Sequence, residues 1–317
     1  MIINSQIPEK INYSIEINFA EDLNTIACDG LKNMGYSPNK SGDNVYSYLN
    51  ILKRNISTIP RKVYISKELN CPKEREQAFN EIVLKLMRGF SLTPYMSRKI
   101  EKKDSKDMLI YDWNIYHFHL NRLNNKKTFV DRSDYLLFAY ITNNSAYLLQ
   151  IYNHNKNIEP YLFSKIELVR IIENNWPELL SKYQIEGIVS LAEPISDESV
   201  AKFRKAGITS FVETNPGKIY ISMGGGYMSN RMSYDVINTH NNWRNKVNIY
   251  QQFFIKSIFN IIELLKHFNI NNYNLVVKLL TFNESEFICL ELNNKLIIQF
   301  LLKEHKIRVC EPYELYM

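Results

Sequence analysis

The segment Asp112-Trp113-Asn114-Ile115-Tyr116-His117-Phe118-His119-Leu120 carries two imidazoles two residues apart. In an extended strand alternate side chains share a face, so His117 and His119 point the same way about 7 Å apart, while Tyr116, Phe118 and Leu120 point the other way. Imidazole titrates near neutrality, so this pair can take a proton from a 2′-hydroxyl or hand one to a leaving oxygen. A guanidinium supplies the complementary stabilisation of charge growing on a phosphate. Arg122, Arg132 and His154 reach the same surface if the apolar runs that follow pair side by side with this one. Two other readings stay open. The three histidines can ligate zinc through nitrogen with a position left for water, or His117 and His119 can simply pack and hydrogen-bond at a sheet surface.

Three aromatic and aliphatic runs of strand length, at 109–120, 135–141 and 146–152, must position these groups. The polar link Thr142-Asn143-Asn144-Ser145 makes the last two a hairpin, and the block an antiparallel sheet. Upstream, a strand at 13–19 precedes helices at 21–34 and 45–53, with Gly35 closing the first. After a short apolar run at 62–66, Pro72 opens and Gly89 closes a long amphipathic helix. Downstream, a helical stretch at 164–181 is interrupted by Pro177. Runs at 185–192, 199–205 and 208–212 then alternate between strand and helix character. Gly224, Gly225 and Gly226 mark a candidate hinge or domain edge before an apolar helix at 247–268. Four apolar runs between 274 and 310 form a β-meander. The expectation is an α+β fold with a central antiparallel sheet, flanking helices and a C-terminal helix plus β-meander unit. The corresponding domains are 1–222 and 223–317.

The succession His117-Phe118-His119-Leu120, Arg132 with Tyr135-Leu136-Leu137-Phe138-Ala139-Tyr140-Ile141, and Ala146 through His154 resembles the sheet of the RelE/ParE-type bacterial toxins. The resemblance covers residues 109–156. It implies a small ribonuclease-like fold that cuts messenger RNA with basic residues and little or no metal. Arg132 would contact phosphate and His154 would stand at the basic end of the third strand. This chain has histidines where those toxins usually carry Lys, Arg and Tyr. The Trp113-x-x-x-His117-x-His119-Leu120 run also resembles uncharacterised bacterial proteins, a likeness that implies no function.

Upstream of the histidines, Arg98, Lys99, Lys102, Lys103 and Lys106 can steer a nucleic-acid backbone or form a solvated linker. The triple glycine offers backbone N–H groups that can cradle a phosphate, or serves as a tight connector, and its spacing fits neither a P-loop nor a dinucleotide fingerprint. His240, Trp243 and Arg244 either close over a ligand or form a polar helix entry. The 317 residues carry a net charge of +6, compatible with a nucleic-acid partner. Cys28, Cys71, Cys289 and Cys310 are too scattered for a disulfide framework and read as buried thiols in a reducing, cytoplasmic setting. No apolar stretch is long enough to span a bilayer.

These readings converge on a metal-independent, cofactor-free ribonuclease-like toxin or phage-defence effector, with RNA and a neutralising protein as its partners. His117, His119 and His154 would exchange protons while Arg122 and Arg132 hold phosphate. The alternative is a non-catalytic regulatory protein that binds nucleic acid or another protein.

Overall fold

A computed structural model of the chain describes residues 2–6, 12–124 and 126–311. The first elements are β1 (Ile2–Gln6), β2 (Asn12–Ile17), α1 (Phe19–Asn33), α2 (Val45–Arg54), β3 (Lys62–Ile65) and α3 (Glu76–Arg88). There follow α4 (Met108–Trp113), β4 (Ile115–His119), β5 (Tyr135–Ile141), β6 (Ser145–Asn153), α5 (Glu167–Asn175) and α6 (Asp197–Ala206). The chain continues through β7 (Val212–Asn215), β8 (Lys218–Tyr220), α7 (Tyr234–Lys256) and α8 (Ile258–Lys266). It ends in β9 (Tyr273–Phe282), β10 (Glu286–Glu291), β11 (Leu296–Leu301) and β12 (Lys306–Cys310). The fold is α+β. Packing divides it into two compact units, residues 1–48 with 239–317 and residues 49–238. Among the described residues no helix is long and apolar enough to cross a membrane.

The first unit holds a six-stranded sheet in the order β1-β2-β9-β10-β11-β12, parallel only between β2 and β9. The helix and antiparallel meander expected at the C-terminal end are present, with β9 to β12 paired in sequence. The expected helix at 247–268 is interrupted at Ser257, whose N–H reaches back to Phe253 O and Phe254 O while α8 starts beyond it. Rings supply much of the core: Phe287 stacks on Phe300 at 4.3 Å, and Phe19 meets both Phe254 and Phe287 edge-on. On α1 the buried residues Phe19, Leu23, Ala27 and Leu31 recur every four positions, the period that keeps them on one stripe of a helix. The boundary expected at 222/223 falls inside the second unit. Pairing of β2 with β9 draws the amino-terminal strands into the carboxy-terminal meander, and Ser14 Oγ donates to Asn274 Oδ1 across that join at 2.8 Å.

The second unit is built on a four-stranded sheet, β3-β6-β5-β4. The β4-β5-β6 block is antiparallel as expected, and β3 adds a parallel edge beside β6, so the sheet is mixed. Alternation along the strands sends Tyr116, Phe118, Leu137 and Ala139 to one face, against Ala78, Phe79, Ile82 and Leu86 of α3. It sends Ile115, Leu136, Phe138 and Tyr140 to the other, against Leu168, Val169, Ile171 and Ile172 of α5 and Val200 of α6. Gly89 closes α3 in the left-handed region at φ 71°, where a Cβ would lie 2.6 Å from the Ile59 carbonyl carbon.

Three expectations for this unit change, the first being the run at 208–212, which is strand only at Val212, where β7 begins. Residues 109–113 form helix α4 instead of the start of a strand: the Asp107 carboxylate caps the N–H groups of Leu109 and Ile110, and Asn114 ends the helix at φ 55°. Residues 185–192 form no strand. They touch the β7-β8 hairpin through a hydrogen bond from Ile185 N–H to Ile219 O, next to an isolated bridge between Gln184 and Tyr220.

Candidate active site

Strand β4 lies at the edge of its sheet, with His117 opposite Phe138 and His119 opposite Leu136. Both histidines stand on the face shared with Ile115, as strand alternation requires. His154 follows the last residue of β6, and its N–H donates to Asp134 O at 2.6 Å. The antiparallel block therefore brings His119 and His154 together, with ring centroids 5.7 Å apart.

The backbone of Ser133 lies between the two rings. Its N–H donates a long hydrogen bond, 3.4 Å, to His119 Nδ1. The same backbone also lies close enough to the His154 ring to favour its charged form. The consequence is chemical. A neutral His119 that accepts at Nδ1 carries its proton on Nε2 and is a donor there, whereas a neutral His154, like any neutral imidazole, keeps a lone pair on one of its nitrogens. Ser133 is itself fixed, with a buried side chain whose Oγ donates to Leu120 O at 2.9 Å and accepts from Tyr135 N–H at 3.1 Å.

Burial is the largest influence on His119, and the neighbouring His117, His154 and Arg132 add to it, lowering its pKa to about 4. His154 is also lowered, first by burial and then by Arg132 and Lys156, against the opposing influence of the Ser133 backbone and Asp134. Both rings are therefore neutral at pH 7. His117 is lowered by burial as well, with His154 and Lys99 adding to it and Asp107 opposing. Its shielded Nδ1 has no hydrogen-bond partner, and its ring packs 5.1 Å from Phe163 and 6.2 Å from Phe138. His117 thus forms the floor behind the His119–His154 pair.

Of the two arginines expected here, Arg132 stands exposed within electrostatic reach of both rings. Arg122 instead donates to Gln77 Oε1 on α3. In the basic stretch, Arg98, Lys99 and Lys102 are exposed and Lys103 is half-buried, while Lys106 Nζ donates to Asn230 O at 2.7 Å. The backbone of this stretch is held from below by the buried Arg54 guanidinium, which donates to the carbonyls of Lys99, Lys102 and Lys103.

Other expected features take structural places. The glycine N–H groups are already used, Gly224 donating to Asp112 O at 2.7 Å, Gly225 to Ser222 O at 3.1 Å and Gly226 to Tyr111 O at 2.9 Å. A Cβ at Gly224 would come within 2.3 Å of Ile110 O, so the run is a close backbone crossing, neither hinge nor phosphate cradle. His240 and Arg244 both bind Asp43. Of the four cysteines only Cys289 is buried; Cys28, Cys71 and Cys310 are half-buried. Among the described residues no three His, Cys, Asp or Glu side chains are grouped to hold a metal ion, so the three-histidine zinc arrangement does not form.

Two contributors carried no sequence signal. Asp112, buried in α4, accepts from Arg204 Nε and Nη2 at 3.0 and 2.8 Å and from Ser222 Oγ at 2.5 Å. The same guanidinium lies over the Trp113 ring at 4.2 Å and donates through Nη1 to the carbonyl of Phe163. A buried ion pair thereby supports the turn that carries Phe163, whose ring meets His117 and His154 edge-on. No family model, curated protein or solved structure matches this chain.

Proposed function

We propose that the His119–His154 pair performs metal-independent cleavage of RNA by proton transfer, in a ribonuclease-like toxin or phage-defence effector that a partner protein would neutralise. The observation that carries this reading is the approach of the two rings to 5.7 Å, with Ser133 N–H on His119 Nδ1 leaving His119 a donor at Nε2. A phosphodiester between them needs one donor and one acceptor, and the lone pair of a neutral His154 is the acceptor. The His154 lone pair takes the 2′-hydroxyl proton as the 2′-oxygen attacks phosphorus. His119 Nε2–H and the Arg132 guanidinium donate to the phosphate oxygens, where charge accumulates. The P–O5′ bond breaks as protonated His154 returns the proton to the departing 5′-oxygen, leaving a 2′,3′-cyclic phosphate and a 5′-hydroxyl. The exposed Arg98, Lys99 and Lys102 would attract the RNA backbone.

Labelled RNA is the substrate for the test, with and without EDTA. His119→Ala and His154→Ala should each lower the cleavage rate roughly 100-fold or more while wild-type cleavage resists EDTA. The base must be unprotonated, and the His154 pKa lies below 6.5. The rate should therefore be level at neutral and alkaline pH and decline as acid protonates His154. Equal cleavage by either variant and the wild type removes that ring from the mechanism. Salt-sensitive RNA binding with no product favours the regulatory alternative.

A further inference from the structure

We infer that Phe163 is a base-stacking platform beside the His119–His154 pair, so that the substrate is RNA with an unpaired base at the cleaved step. This inference rests on the ribonuclease reading and goes on to name the form of RNA the site accepts.

Phe163 lies in the short turn Leu162–Ser164, between two buried neighbours, yet its own side chain is 38% exposed. Exposure alone would mean little. Here the exposed ring is anchored on its inner side: it meets His117 at 5.1 Å, His154 at 5.9 Å and Phe138 at 6.2 Å, each in a tilted or edge-on contact. Its backbone is fixed as well, by Arg204 on its carbonyl and by the Ser164 N–H to Tyr161 O bond at 2.7 Å. The buried Asp112–Arg204 pair holds that guanidinium in place. A buried pair carries a desolvation cost that an apolar pair of similar volume avoids, so its use to support one exposed ring next to two neutral imidazoles requires a reason. A nucleobase laid on that ring supplies one, because stacking on a fixed aromatic fixes the adjoining ribose and phosphate against the histidines. Bases within a duplex are already stacked on their neighbours, which leaves no face for Phe163.

The test compares wild type with Phe163→Ala, Phe163→Leu and Phe163→Tyr on one RNA sequence in three forms. These are single-stranded, annealed to its complement, and single-stranded with an abasic ribonucleotide at the mapped cleavage step. Single-stranded RNA should be cleaved in preference to duplex. Phe163→Ala and Phe163→Leu should lose about 10-fold in kcat/KM on intact single-stranded RNA, and Phe163→Tyr should stay within about 2-fold of wild type. On abasic RNA the wild type should fall to the level of Phe163→Leu, with little further loss in the variant. Equal losses of Phe163→Leu on intact and abasic RNA would show that the ring only packs behind His117, and would overturn the inference. If the wild type cleaves nothing, the ribonuclease reading fails by itself. Anisotropy of fluorescent single-stranded and abasic RNA then decides the platform: weaker binding of intact RNA by Phe163→Leu supports it, and unchanged binding overturns it.

Discussion

The two sheets bury polar groups in different ways. In the six-stranded sheet, Glu291 is fully buried and accepts from Val276 N–H, Asn293 N–H, Asn294 N–H and Asn294 Nδ2, so both oxygens are occupied. Asp22 does similar work at the irregularity between β9 and β10: Leu279 N–H donates to its Oδ2 at 2.9 Å, and Lys278 lies 3.3 Å from Oδ1. In the four-stranded sheet the histidines are only half satisfied, with His117 Nδ1 shielded and unpartnered and His119 bound to Ser133 N–H through one ring nitrogen. Leaving a buried polar group unpaired opposes folding, so a protein that completes the buried acids of one sheet and leaves the imidazoles of the other open separates structural polar groups from reactive ones.

The largest effect should come from the buried pair that lies between these extremes. Asp112 and Arg204 are almost fully buried and mutually satisfied, as in a structural site, yet they also hold the Phe163 turn. Asp112→Ala leaves an uncompensated guanidinium and should cost about 3–5 kcal/mol in urea unfolding. The double change Asp112→Ala with Arg204→Met should recover much of that loss, because an apolar pair has no charge to desolvate. A single-variant cost under about 1 kcal/mol would place Asp112 outside the support of the site.

Much of this contrast could be read from the sequence, for identifiable reasons. Strand alternation set His117 and His119 on one face, and the polar link at 142–145 made the hairpin that brings His154 to them. The Pro72 and Gly89 brackets likewise found α3 within a few residues. Local patterns failed elsewhere. Residues 109–113 are apolar apart from Asp112 and too few to display a helical period, so only the Asp107 cap and the left-handed Asn114 reveal the helix. The pairing of β2 with β9 joins residues from opposite ends of the chain, and Ser14 to Asn274 spans 260 positions. Ser133 acts through its peptide groups, which every residue possesses, and Asp112 and Arg204 are 92 positions apart. Neither leaves a motif.

The second effect sharpens the structural side of the comparison. Glu291→Ala removes the acceptor for three donors at the turn between β10 and β11 and for Val276 N–H on β9, and should destabilise the protein by about 2–3 kcal/mol. Glu291→Gln keeps one carbonyl acceptor and should cost less, about 1 kcal/mol. If the two variants unfold at the same urea concentration, the turn is held by its backbone and the carboxylate is incidental.

The smallest effect concerns a polar group that is neither buried nor reactive. Asp43 accepts from Val45 N–H at 2.8 Å at the start of α2, and its Oδ2 meets His240 Nε2 at 2.5 Å and Arg244 Nη1 at 2.9 Å. Partial burial is the largest single influence on its carboxyl and pushes the pKa up, but the His240 bond, the Val45 N–H and the nearby charges together outweigh it, so the pKa lies below 3.8. A carboxylate whose pKa is lower folded than unfolded binds fewer protons in the native state. Its contribution is therefore complete above the unfolded value of about 3.9 and is lost as pH falls through the folded value. The side chain is 34% exposed, so solvent screening limits the contribution to about 1 kcal/mol or less. Urea unfolding of wild type and Asp43→Asn should differ by that amount at pH 7 and converge as the pH is lowered below about 4. A gap that stays constant as the pH falls to about 2 would remove the carboxylate charge as its source, because an amide and a protonated carboxyl cap a helix without charge.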